Sequence, residues 1–150
     1  MSTFQFTLES ILTLRSREEE AAQEHHIRAV QFKSRAETAL RDARAELEAY
    51  HHSLATAREG VSFRHDQLLF LNALQYQQAA CQHLAGKLQA AERELESRRT
   101  DLLAAHHKHE VLLRLKRTQQ EAHQLATQRA EESALADLIN ARHALRLNSV

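Results

Sequence analysis

Residues 36–61 read AETALRDARAELEAYHHSLATAREGV. Stepping alternately four and three residues from Ala36 reaches Leu40, Ala43, Leu47, Tyr50, Leu54, Ala57 and Val61, and every one is apolar or aromatic. The residues between them are largely charged, among them Glu37, Arg41, Asp42, Arg44, Glu46, Glu48 and Arg58. A repeat averaging 3.5 residues lays one narrow apolar seam along a helix, the pattern of a coiled coil. Carried backward, the seam runs through Lys33, Ala29, His26, Ala22, Glu19, Arg15, Leu12 and Leu8. Half of these are polar, so the same helix is expected to continue with a looser contact.

The rest of the composition agrees. The chain of 150 residues has no Pro and only two Gly, Gly60 and Gly86, while Ala, Leu, Glu, Arg and Gln dominate. Sandwiches and barrels need turn residues every ten positions or so, and nucleotide-binding α/β folds need Gly-rich loops. Neither is available here, which leaves long helices. No apolar run approaches the roughly 18 residues of a membrane span. The N-terminal stretch lacks a basic start before its apolar residues, so no signal peptide is expected. Acidic and basic side chains balance at 20 each, which argues against a nucleic-acid-binding face. The single cysteine, Cys81, excludes a disulfide framework within the chain and fits a reducing compartment.

Thr7 and Glu9 give a helix start, and Gly60 gives a stop, with Ser62 able to cap a second helix. The second seam comprises Leu74, Gln77, Cys81, Leu84, Leu88, Ala91, Leu95, Arg98, Leu102, Ala105, His109, Leu112, Lys116, Gln119 and His123. Gly86 is read as a helix-interior glycine. The expected fold is all-α, one domain over residues 1–150: a monomeric antiparallel coiled-coil hairpin with long helices over about 7–58 and 65–146 and a tip near 58–66. Gly60-Val61-Ser62 favours this over one continuous helix that dimerises. A tight turn at 60–63 would leave some thirty C-terminal residues unpaired, whereas a separate short helix over 64–78 would match the helix lengths better. The sequence leaves both open. Arg98 and Lys116 are expected to reach from the seam to its edge, and Cys81 to be a core thiol.

No nucleophile elbow, phosphate loop, zinc-protease motif or paired-cysteine motif is present, and a helix pair offers catalytic groups no deep pocket. No enzyme activity, cofactor or metal site is expected. The eleven histidines are the one tempting cluster, above all His106-His107-Lys108-His109-Glu110. His106 and Glu110 lie one turn apart, yet Lys108 adds repulsion and further ligands are lacking, so solvated helix faces are the simpler reading. Three apolar groups exceed what a seam needs: Phe4, Phe6, Leu8, Ile11, Leu12 and Leu14 at the N-terminus, Phe63 to Tyr76 after the break, and Leu135, Leu138, Ile139, Leu145 and Leu147 near the C-terminus. Each reads either as local packing, the two ends meeting one another, or as a partner-binding patch.

Phe4-x-Phe6-x-Leu8-x-x-Ile11-Leu12-x-Leu14-Arg15, followed by Glu19 and Ala22, resembles the N-terminal pattern of the FliJ family of flagellar type III export proteins. Phe70-Leu71-x-x-Leu74, Arg98-Arg99-x-x-Leu102-Leu103-x-Ala105 and Leu112-x-x-Leu115-Lys116 resemble later segments of that family. Leu135-Ala136-Asp137-Leu138 departs from the family's Leu-Asp-Glu-like ending by lacking the Glu. The resemblance implies a non-enzymatic, cytoplasmic antiparallel coiled coil, peripheral at the cytoplasmic side of the inner membrane. It further implies that the end with both termini engages a FliI-like export ATPase, that the mid-chain segment contacts an FlhA-like export gate, and that export chaperones bind. Carried over, Phe70 and Leu74 are the gate candidates, and Leu12, Arg15, Asp137 and Leu138 the ATPase candidates. A virulence-secretion stalk protein and a generic structural coiled coil are the alternatives.

Overall fold

A computed structural model describes residues 3–57 and 63–148. The fold is all-α: α1 spans Glu9–Ala57 and α2 spans Phe63–Asn148. Gly60, Val61 and Ser62, expected to form the break, lie outside the described residues. Chain contacts cluster into two units, one of Met1–Glu19 with Ala105–Val150, the other of Glu20–Ala104.

In the second unit, α1 and α2 lie antiparallel. The Tyr50 ring, late in α1, sits 5.9 Å from Phe70, early in α2. The buried seam is the one the sequence marks. On α1 it comprises Ala22, His26, Ala29, Lys33, Ala36, Leu40, Ala43, Leu47, Tyr50 and Leu54; on α2 it runs from Leu74 through Gln77, Cys81, Leu84, Leu88, Ala91, Leu95 and Arg98 to Leu102, all buried or half-buried. Ala91 is the most buried, at 1% exposure, and Leu40 is next at 4%. Alanine facing leucine lets two backbones approach closely, but the layer is thin. Among the described residues no large side chain is fully buried, so packing strength comes from the length of the seam rather than its depth.

The first unit repeats the antiparallel arrangement. Phe4 lies against His123 at 5.7 Å between ring centres, Glu9 accepts a hydrogen bond from Lys116 Nζ at 2.9 Å, and Glu19 meets His106 and His109. The start of α1 falls at Glu9 rather than Thr7. The Glu9 amide donates to the Phe6 carbonyl at 3.2 Å and the Leu12 amide to the Leu8 carbonyl at 2.9 Å, so residues 6–9 turn the chain into the helix. The Glu9 carboxylate then sits in the first turn, where the helix dipole favours it.

Phe63 is already helical, two residues before the expected start at 65, because neither Phe63 nor Arg64 opposes helix propagation. No separate helix over 64–78 exists, since α2 is one element; the tight turn expected at 60–63 falls mostly outside the described residues. The consequence is a C-terminal segment of α2 with every residue from 128 to 148 exposed. It begins later than the expected thirty-residue overhang. The N-terminal residues ahead of α1 are not helical, so each advances further than the roughly 1.5 Å of a helical residue. They bring Phe4 and Phe6 onto α2 past the point where α1 ends. Gln119 is accordingly exposed while His123 and Thr127 are half-buried, which breaks the strict heptad there.

The expectation that the two terminal apolar groups pack on one another is corrected. Phe6 and Leu12 are buried, but Leu135, Leu138, Ile139, Leu145 and Leu147 are 58–71% exposed. Phe6 and Phe4 find their cover on α2 around Lys116 and His123, while Ile11 and Leu14 of the same group remain 41% and 52% exposed.

Gly86 is helical and exposed, and a Cβ added there meets nothing within 4 Å. Replacing Gly86 by Ala removes backbone freedom from the unfolded chain without a clash. Gly86→Ala should raise unfolding free energy by about 1 kcal/mol, read as a higher urea midpoint at unchanged slope.

Candidate interaction surfaces

The surfaces of the described residues include a carboxylate at the seam with two imidazoles, a shallow groove and exposed apolar helix faces. Glu19 occupies a seam position on α1 where an alanine or leucine would pack. Its carboxylate is held by α2 instead. Oε1 lies 2.6 Å from His106 Nδ1, and Oε2 contacts His109 Nδ1. His106 and His109 are three residues apart and so share one helix face. The His106 Nε2 atom lies 3.7 Å from the Glu110 carboxylate, a further weak attraction. The hydrogen bond from His106 holds the Glu19 carboxyl below its usual range, with His109 adding to the effect and partial burial opposing it. The same hydrogen bond raises the His106 imidazole. Among the described residues, no group of three or more His, Cys, Asp or Glu side chains is placed to hold a metal ion.

Lys116 continues this edge. Its ammonium binds Glu9 and lies 6.0 Å from the Phe6 ring centre, so the cation sits at the rim as its place on the seam demands. Arg98 behaves alike, donating to Glu94 at 2.8 Å.

In the Glu20–Ala104 unit a shallow open groove runs between the helices, with Ala29 and Ala91 among its lining residues beside Arg28, Phe32, Arg35 and Arg98. Two of its arginines are held in ion pairs, Arg28 with Glu24 at 2.6 Å and Arg98 with Glu94 at 2.8 Å.

The residues singled out from the sequence fall into two groups. Leu12 is 7% exposed and spent on the seam. Arg15 is half-buried and paired with Glu18 at 2.7 Å. Phe70 and Leu74 are half-buried seam residues, Phe70 against Tyr50. Asp137 and Leu138, in contrast, are fully presented on the unpaired end of α2. The segment after the break is apolar on two sides, as its composition indicates. One side is spent on the seam; the other presents Leu68, Leu69 and Tyr76 at 67–74% exposure, while Leu71, at 40%, lies beside Leu74 at the flank of the seam. Helical phase separates Leu68, Leu69 and Tyr76 from Phe70 and Leu74, since residues 68, 69, 72 and 76 share a face.

Comparison of the chain with protein-family models, with curated proteins and with solved structures yields no match.

The Glu19 cluster makes stability depend on pH in a defined sense. Glu19, lowered on folding from an ordinary value of 4.5, contributes above that value and loses its contribution as acid protonates it. His106, raised from 6.5, contributes below that value and loses its contribution as alkali deprotonates it. Both contributions are complete between pH 4.5 and 6.5. The melting-temperature gap between the wild type and Glu19→Gln should be widest in that window and narrow toward both acid and alkali. A gap independent of pH would show that the imidazole contacts do not form.

Proposed function

We propose that the chain is a stalk-type component of a flagellar type III export apparatus, which binds other proteins through apolar helix faces and carries out no chemistry itself. The observation that carries this reading is the exposure of apolar side chains on helix faces, Leu68, Leu69 and Tyr76 in one unit and Leu135, Leu138, Ile139 and Leu145 in the other. Water-exposed apolar side chains grouped on one helix face are a liability unless a partner covers them. The resemblance of the N-terminal Phe4-x-Phe6-x-Leu8 segment and of Phe70-Leu71-x-x-Leu74 to the FliJ family supplies the kind of partner: an export ATPase, an export gate and export chaperones.

On this reading Asp137 and Leu138 meet the ATPase directly. Leu12 and Arg15 act through the fold, Leu12 by anchoring the first turns of α1 on α2. At the gate, Leu68, Leu69 and Tyr76 make the contact, and Phe70 and Leu74 hold that face in place. Among the described residues no helix is long and apolar enough to cross a membrane. The proposed position at the cytoplasmic side of the inner membrane therefore arises from binding the gate. A virulence-secretion stalk shares these features and differs in which ATPase responds.

The purified chain should stimulate its cognate export ATPase, and Leu135→Glu with Leu138→Glu should raise the half-saturating concentration about tenfold or more. Leu68→Ala, Leu69→Ala and Tyr76→Ala together should weaken gate binding while the melting temperature stays within a degree or two, because exposed substitutions change stability by only about 0.5 kcal/mol each. Phe70→Ala should instead lower the melting temperature. No stimulation at saturating protein would leave the generic coiled coil as the better account.

A further inference from the structure

The unpaired end of α2 carries a second, unused copy of the pattern that pairs the helices elsewhere. Ala134, Leu138, Ala141 and Leu145 have the same four-three-four spacing, Ala-Leu-Ala-Leu, as Ala36, Leu40, Ala43 and Leu47. In the paired copy Leu40 and Ala43 are 4% and 9% exposed; in the unpaired copy Leu138 and Leu145 are 66% and 71% exposed. The unused stripe also continues the packed face of α2. About eighteen residues make five helical turns. One such step beyond the half-buried Lys116, His123 and Thr127 arrives at Ala134, Ala141 and Leu145. The face that receives the N-terminal segment thus runs on, still apolar, where that segment has ended.

We propose that this stripe, residues 131–148, pairs antiparallel with the same stripe of a second copy of the chain. The four-residue pattern is self-complementary in that orientation. A two-fold axis between residues 139 and 140 sets Ala134 against Leu145 of the second copy and Leu138 against Ala141 of the second copy. Each layer then holds one small and one large side chain, as a two-helix seam requires. Charge selects the same orientation. The first half of the segment is acidic, with Glu131, Glu132 and Asp137, and the second half is basic, with Arg142, His143 and Arg146. Antiparallel pairing sets the acidic half of each copy beside the basic half of the other and opposes the two helix dipoles favourably. Parallel pairing would stack like charge on like. The chain carries no net charge to oppose association. The interface is small, about five turns of two helices, so it belongs to the reversible class of association. The inference is independent of the proposed export role. It does imply that Leu138 cannot face a second copy and an ATPase at once.

Sedimentation equilibrium of the full chain over a wide concentration range tests the pairing. A reversible monomer–dimer equilibrium is expected, with a dissociation constant on the order of 10–100 µM. Leu138→Glu with Leu145→Glu should weaken it at least tenfold at unchanged helicity, since both side chains are exposed in the single chain. For orientation, Ala134→Cys and Leu145→Cys are made separately in a Cys81→Ser background and mildly oxidised. The mixture should form the mixed disulfide dimer faster than either variant forms its own. A chain that stays monomeric at the highest concentration overturns the proposal. So does a dimer unaffected by the two Glu substitutions. Faster disulfide formation by Ala134→Cys alone than by the mixture, the mark of parallel pairing, overturns it as well.

Discussion

A single stripe per helix is all that holds α1 to α2, and that constraint governs the rest of the molecule. Each stripe is narrow, is built mainly from leucine and alanine with polar members among them, and sinks few side chains fully from water. Ala91 is nearly sealed, Leu40 and Leu54 are well covered, and most other seam members stay half-exposed. A contact of this kind gains by repetition, each turn adding a modest increment of apolar burial. It also tolerates polar members at its rim, because Lys116, Arg98 and Glu19 can reach partners at the edge without losing their hydration altogether.

The same narrowness leaves much of each helix facing water, and the grooves found among the described residues are shallow and open. The outward faces around Leu68 and around Leu138 are among the apolar surfaces the seam does not need. One flanks the start of α2; the other lies on the α2 segment that no part of α1 reaches. The Glu19 contact with His106 and His109 shows the opposite economy, a polar group placed inside the seam and satisfied there. It ties the helix pair to the protonation states of Glu19 and His106, and it replaces apolar packing with an interaction that depends on pH.

Much of this was legible from spacing alone. Every seam position read from Leu8 to Leu54 and from Leu74 to Lys116 is buried or half-buried, the polar ones included, because a 3.5-residue repeat reports the contacting face whatever side chain occupies it. Spacing on one helix does not contain the register against the other. Glu19 and His109 both stand out as polar seam members, yet their meeting depends on the length of the break between the helices. The same holds for the N-terminal stretch: Phe4 and Phe6 are apolar enough to pack, but only a non-helical path carries them to His123. Motif resemblance drew attention to Phe70 and Leu74, and it was helical phase that separated them from Leu68, Leu69 and Tyr76.

The antiparallel register within one chain is the claim on which the account stands. Nuclear Overhauser contacts between side chains test it directly, in a sample mixing labelled and unlabelled protein so that contacts within a chain are distinguished from contacts between chains. Cross-peaks between the Tyr50 and Phe70 rings and between Phe4 and His123, both arising within one chain and persisting on dilution, are the predicted result. Their absence, or their appearance only between chains, would contradict it.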